Sequence, residues 1–308
     1  MVDDQLSEVF ELVEVRGVLS DGFAVSGPWV VSGELAEESL KLIASVTGTA
    51  ELTVDGVDEP LRLEAGDVAV LNGRSWLRLR GGEGDGPPAE LVPGEPFAAL
   101  AGADRAAAGN VCIGGRIELN ETGRALLLPA LPPAGVVRAP AAPNLRHDLD
   151  RVADELIGGR IGSSFAIRQR GQLLALEVMR AFAGHSALPA GWLRLLADGR
   201  LRPALSLMSA DPGRPWGLEE LARAAGMSRT TFAERFRAAA GMPPLAYLGH
   251  WRMLLAQRAL RDDDAGIRAL AGELGYASES AFSAAFKRVV GEAPAHYRTR
   301  VRSGASRF

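Results

Sequence analysis

Two stretches of the 308-residue chain set hydrogen-bonding and charged side chains at matching positions about fifty residues apart: GMSRTTFAERFRAAAGMPPLAY, Gly226 to Tyr247, and GYASESAFSAAFKRVVGEAPAHY, Gly275 to Tyr297. The first carries Ser228, Arg229, Thr230 and Glu234, the second Ser278, Glu279, Ser280, Ser283, Lys287 and Arg288. Hydroxyls and carboxylates suit the donor and acceptor edges of base pairs, and basic groups suit phosphate oxygens. No catalytic constellation accompanies them, so the chemistry on offer is recognition and not bond making.

The elements that position these groups follow from the apolar residues between them. Phe232, Phe236, Gly241, Pro244 and Tyr247 recur as Phe282, Phe286, Gly291, Pro294 and Tyr297 at an offset of 50, and Leu218, Leu221, Ala222 and Gly226 as Ile267, Leu270, Ala271 and Gly275 at 49. The one-residue difference falls in a turn. Each copy predicts a helix with an inner stripe at spacings of three and four, a glycine at its end, and a second helix capped by Ser228 or Ser278. That is a helix-turn-helix written twice, over about 216–241 and 265–291, with a linker helix over about 244–262 starting at Pro243-Pro244. At 1.5 Å per residue the linker spans about 28 Å, close to the ~34 Å turn of B-DNA. The outward faces, with Ala233 and Ala284 among the polar residues, are narrow enough for a major groove roughly 12 Å wide.

The charge is divided to match. From Ser206 onward there are 15 Arg and Lys against 10 Asp and Glu; the preceding residues carry 19 against 28, and the whole chain sums to -4. The basic end is the polyanion-binding end. With 47% apolar and 23% charged residues, no apolar run long enough for a membrane and no basic-then-apolar leader, the expectation is a folded, cytoplasmic protein. One cysteine, Cys112, excludes an internal disulfide or a multi-cysteine zinc scaffold.

Ahead of the helices the pattern has period two. Ser39 to Val46, Thr49 to Asp55, Leu61 to Leu63, Val68 to Leu71 and Trp76 to Arg80 each predict strands, with more strand around Val111 to Leu119. The proline-rich LPALPPAGVVRAPAAPN, Leu128 to Asn144, breaks this pattern, and helical spacing follows in two helices around the GGRIGSS break, Gly158 to Ser164. The fold class expected is multidomain: an all-β barrel over 1–140, a helical connector with a dimerisation role over 141–200, and an all-α double helix-turn-helix domain over 201–308.

PWGLEELARAAGMSRTTFAERF, YLGHWRMLLAQRAL and ALAGELGYASESAFSAAFKRVVGEAPAHYR resemble the AraC/XylS family of bacterial transcription regulators over roughly Leu205 to Arg300. The resemblance implies a seven-helix domain for double-stranded promoter DNA, action as a homodimer, RNA polymerase as a further partner, and Ser228, Arg229, Thr230, Glu234, Ser278, Glu279, Ser280, Ser283, Lys287 and Arg288 as contact residues. The family usually places a large polar residue midway along each reading helix; here those positions hold Glu234 and Ala284.

LIASVTGTAELTVDG and PLRLEAGDVAVLNGRSW are similar to the cupin-like sensor domains of that family. Cupin enzymes hold a metal with histidines, and none of His147, His185, His250 and His296 lies in the strand region, so no metal or other cofactor is expected. Where a second cupin motif ends in proline, glycine and histidine, this chain has Asn72-Gly73-Arg74-Ser75-Trp76-Leu77. The expectation is a non-enzymatic regulator with a small-molecule effector in a β interior. Trp29, Lys41, Arg62 and Trp76 are the candidate effector residues, and an inward Lys41 would pair an anionic ligand. Two alternatives remain at this point: a metal-independent cupin-type enzyme fused to a DNA-binding domain, and a regulator sensing oxidants through Cys112.

Overall fold

The computed structural model describes residues 9–10, 16–35, 40–92, 109–184 and 188–305. These fall into two compact units, one Val13–Pro189, the other Ala190–Phe308 together with Met1–Leu12. His185 and Ser39 lie outside the described residues.

The first unit is a pair of five-stranded sheets. One has the order β1 (Arg16–Val25), β9 (Asn110–Glu118), β3 (Leu40–Thr47), β6 (Val68–Asn72), β10 (Ala134–Val137); the other β5 (Leu61–Leu63), β4 (Ala50–Val54), β7 (Trp76–Gly81), β2 (Trp29–Glu34), β8 (Ala89–Leu91). All neighbours are antiparallel except β2 and β8. The expected cupin-like β unit is present, with the refinement that its sheets do not close into a barrel: among the described residues β1, β10, β5 and β8 are each paired on one side only, and β5 and β8 are three residues each. Side chains hold the sheets together, with Leu52, Leu63, Leu71, Leu79 and Ile43 among the buried layer between them.

β3 is buried along nearly its whole length, which is why LKLIASV reads as a continuous apolar run and not an alternating one. One face looks to the second sheet. The other belongs to the layer in which Leu42, Ala44, Val68 and Ile113 meet Leu145 and Leu149 of α2 (Pro143–Gly158) and Leu174 and Val178 of α3 (Ser163–Ala183). α1 (Glu121–Leu127), capped by Asn120 through the Gly123 N–H at 2.7 Å, precedes the proline-rich passage. β10 lies inside that passage, where GVV is too short between prolines to show a period; it pairs with β6, and the Asn72 side-chain amide donates to the Leu128 and Leu131 carbonyls at 2.8 and 3.1 Å beside it.

The second unit is helical: α4 (Trp192–Ala197), α5 (Arg202–Ala210), α6 (Leu218–Ala224), α7 (Arg229–Ala240), α8 (Pro244–Asp262), α9 (Ile267–Glu273), α10 (Glu279–Val290) and α11 (Pro294–Ala305). Two cores form, one on Phe232, Phe236 and Leu221, the other on Phe282, Phe286 and Leu270. α8 contributes Leu248 to the first and Met253, Ala256 and Leu260 to the second. Each core stacks the same aromatic series: Phe232 to Phe236 at 5.7 Å and on to Tyr247 at 5.5 Å, Phe282 to Phe286 at 5.8 Å and on to Tyr297 at 5.5 Å.

α6 closes on a left-handed glycine, Gly226 at φ 63°, with the Met227 N–H reaching back to the Ala222 carbonyl at 2.9 Å; α9 repeats this with Gly275 at φ 75° and the Tyr276 N–H on the Ala271 carbonyl at 2.8 Å. The two glycines differ in surroundings. A Cβ on Gly275 would lie 1.9 Å from the Gly213 carbonyl oxygen, whereas one on Gly226 would meet open space. Gly226→Ala is therefore expected to cost about 1 kcal/mol for its left-handed backbone alone. Gly275→Ala should cost more than about 2 kcal/mol, because a backbone contact must also open. Hydrogen exchange of the α9 and α10 amides checks this; equal losses for the two substitutions would show that the close approach contributes nothing.

Candidate DNA interface and effector cavity

The second helices of the two helix-turn-helix copies are α7 and α10. Ser228 caps α7, its hydroxyl accepting the Thr231 N–H at 3.2 Å and pairing with the Thr231 hydroxyl at 2.9 Å; Ser278 caps α10, accepting the Ala281 N–H at 3.1 Å. Both serines thus serve the scaffold directly. Beyond the caps, Arg229, Thr230 and Glu234 stand exposed on α7, and Glu279, Ser280, Lys287 and Arg288 on α10, with Ser283 half-buried. None of these charged groups has an ion pair among the described residues. By contrast, Arg235, on the same helix as Glu234, is bound to Asp198 at 2.7 Å.

The segment before α6 ties the copies together. Arg252 of α8 donates to the Pro212 carbonyl at 2.6 Å and the Arg214 carbonyl at 2.9 Å, and the Trp216 indole N–H donates to the Asp211 carbonyl at 2.8 Å. This holds Gly213 against the turn between α9 and α10. Neither Gly213 nor Arg252 was legible as a positioning residue, because a contact between two glycines leaves no side-chain pattern.

The first unit contains a cavity of about 260 Å³. Its walls are apolar: Phe23 and Val25 from β1, Val31 from β2, Ile43 from β3, and Leu77 and Leu79 from β7, with Cys112 of β9 among them. Its polar end is an ion pair, Lys41 Nζ to Asp21 Oδ2 at 3.6 Å, with each side chain about a fifth exposed at 23% and 22%. At that exposure such a pair contributes no more than about 1 kcal/mol.

Asp21 reaches this place through a bulge. β1 and β9 pair Leu19 with Gly115 and Asp21 with Gly114, so one extra residue, Ser20, is absorbed and the alternation of β1 reverses. Leu19 joins the layer beneath the helices, while Asp21, Phe23 and Val25 line the cavity. A Cβ on residue 114 would fall 1.7 Å from Asp21 Oδ1, so glycine there makes room for the carboxylate. Sequence reasoning missed Asp21; Asp21-Gly22 has the composition of a turn, and only the bulge reveals its direction.

Of the other candidate effector residues, Trp29 is buried beside the cavity with its ring edge-on to Phe23 at 4.8 Å, and is not part of the lining. Arg62 is exposed and 4.0 Å from Glu64; Trp76 is 40% exposed, and its backbone N–H donates to Asp55 at 3.1 Å, the main cause of that carboxyl's lowered pKa. The structure does not bring these two to the cavity. Cys112 is 2% exposed, and burial pushes its thiol up to about 12. Among the described residues no cluster of three His, Cys, Asp or Glu is placed to hold a metal, and no helix is long and apolar enough to cross a membrane.

Comparison with known proteins gives this geometry a context. Residues 4–184 match the cupin family and residues 221–300 the helix-turn-helix domain family. A protein from Streptomyces lividans named as an AraC-like transcription regulator is 37% identical over 303 residues, covering 96% of this chain and 98% of its own length. One of the same description from Streptomyces antibioticus is 36% identical over 304 residues, with 96% and 98% covered. The crystal structure of the DNA-binding domain of AdpA, a global transcriptional factor, in complex with a target DNA is 34% identical, covers 35% of this chain and 98% of that one, and has a TM-score of 0.34. A match along almost the whole length of such regulators, with a cupin-type unit ahead of two helix-turn-helix copies, places this chain in the AraC family of DNA-binding transcription regulators.

Proposed function

We propose that this regulator is a non-enzymatic, cytoplasmic sensor whose affinity for promoter DNA is set by a small molecule bound in the cavity of the first unit. The observation that carries the reading is the cavity itself: apolar walls around one pair of opposite charges, in a β unit attached to a DNA-binding unit. An effector of this kind acts by binding one state of the chain more tightly than another, and couplings of about 1–3 kcal/mol correspond to roughly 5- to 150-fold in operator affinity. A thermal-shift screen of metabolites followed by DNA-binding titrations with each hit tests this; hits that leave operator affinity unchanged would refute it.

On the DNA side, the capped helices α7 and α10 divide the work between base reading and phosphate grip. The Thr230 and Ser280 hydroxyls, exposed in the first turns, are the proposed base-edge contacts, and Arg288 in the last turn of α10 a phosphate contact. Thr230→Ala and Ser280→Ala are expected to change preference by about tenfold at one base pair each. Arg288→Ala should weaken every sequence alike and reduce the salt slope by about 0.9. Anisotropy titrations across operator variants at several salt concentrations separate these outcomes, and a uniform loss for all three substitutions would remove the division.

Burial of Cys112 disfavours the oxidant-sensing alternative, because thiol reactivity follows the thiolate and a group titrating at about 12 is almost wholly protonated at neutral pH. Iodoacetamide is expected to label Cys112 in denaturant and leave the native protein unmodified, as read by mass spectrometry. Rapid labelling of the native chain would restore the alternative.

A further inference from the structure

The cavity has a chemical polarity that narrows what it accepts. Asp21 and Lys41 are the charged side chains on its inner face; Glu34 and Glu90 stand at its rim, exposed, on strand positions that alternate outward. Apart from these, the lining side chains among the described residues are apolar, which disfavours a polyol, whose many hydroxyls would lose water without gaining partners. The separation of 3.6 Å is an ion-pair distance but exceeds the 2.7–2.9 Å of a charge-assisted hydrogen bond. Neither group makes another hydrogen bond among the described residues, so the ammonium keeps donors and the carboxylate keeps acceptors for a ligand.

The pair also cannot separate freely. Asp21 lies against the backbone at Gly114, in the space a Cβ would occupy, and the bulge at Ser20 fixes its direction. A ligand bringing only a carboxylate to Lys41 would set its charge against this fixed Asp21, and one bringing only an ammonium to Asp21 would face Lys41. A ligand that carries both charges side by side matches each and leaves the site neutral.

Building on the effector reading above, we infer that the cavity takes a small zwitterion with an apolar body, of the class of an apolar α-amino acid, its ammonium on Asp21, its carboxylate on Lys41 and its side chain among Phe23, Val31, Ile43, Leu77 and Leu79. This replaces the simple anionic ligand that Lys41 alone suggested.

The test is calorimetry on the full-length protein with two matched sets: L-leucine, 4-methylpentanoate and 3-methylbutylamine; L-phenylalanine, 3-phenylpropanoate and 2-phenylethylamine. In at least one set the amino acid binds ten times or more tighter than either single-charge analogue. Lys41→Met then lowers the amino acid to the level of the amine. Asp21→Asn binds the carboxylate analogue more tightly than the unaltered protein does, a gain that a misfolded variant cannot show. A carboxylate or amine binding as tightly as its amino acid, or no binding by either amino acid, overturns the inference. Operator titrations with the same compounds keep the two readings apart. Amino-acid binding without a change in operator affinity sinks the sensor reading alone, and a single-charge analogue that shifts operator affinity sinks the zwitterion alone.

Discussion

The contact between Gly213 and Gly275 is the constraint on which the DNA-binding unit is organised. At this point the chain before the first helix-turn-helix touches the turn of the second with backbone alone; a Cβ on Gly213 would lie 2.2 Å from the Glu273 carbonyl oxygen. Arg252 secures the approach by binding carbonyls on either side of Gly213 and standing 5.9 Å above the Tyr276 ring. The second turn is one residue longer than the first. The extra residue, Ala277, follows Tyr276, which stands where Met227 does in the first copy and packs at 5.5 Å on Phe282, lengthening the second aromatic series beyond that of the first. The copies are therefore alike in their cores and unlike where they meet, as they must be if each faces a different side of one contact.

A single residue of register plays the corresponding part in the β unit. Strict alternation along β1 would send Leu19 and Asp21 to the same face; the bulge sends Leu19 to the helices and Asp21 to the cavity. With α2 and α3 covering the outer face, that sheet is buried on both sides, and a charge can be tolerated inside only beside an opposite one. Lys41 supplies it from β3. The bulge, Gly114 and Lys41 act together, and removing any of them leaves a carboxylate misdirected or unpaired.

How much of this was legible depended on whether the determinant was local. The helix-turn-helix copies were readable because glycine, serine and phenylalanine each impose a backbone or packing requirement at a fixed spacing, and α8 runs from Pro244 to Asp262 as Pro243-Pro244 and the following helical spacing indicate. Strands with clean alternation, such as Leu61–Leu63 and Trp76–Gly81, were equally plain. β10 was not, because its three-residue apolar core between prolines carries no period and is a strand only by virtue of β6 beside it. Two open sheets could not be told from a closed barrel, since closure depends on which edges pair across the fold. For the candidate site, Lys41 stood out by its rarity while Asp21 did not, and the direction of both side chains is decided by tertiary register.

Helices α7 and α10 carry the same scaffold and a different order of exposed charge. Along α7 the sequence runs Arg229, Glu234, Arg237, with Arg235 neutralised by Asp198; along α10 it runs Glu279 and then Lys287 and Arg288. A cation thus opens one helix where a carboxylate opens the other. Glu279 complements the positive end of its own helix. A carboxylate is a group able to accept from a cytosine amino group, whereas a guanidinium, as on Arg229 at the matching end, suits phosphate or guanine. With the hydroxyls at Ser228 and Ser278 engaged in capping, the exposed side chains that follow are Arg229 and Thr230 on α7 and Glu279 and Ser280 on α10. The duplication gives the two helices one scaffold, and the substitutions on the outer faces give them unlike surfaces.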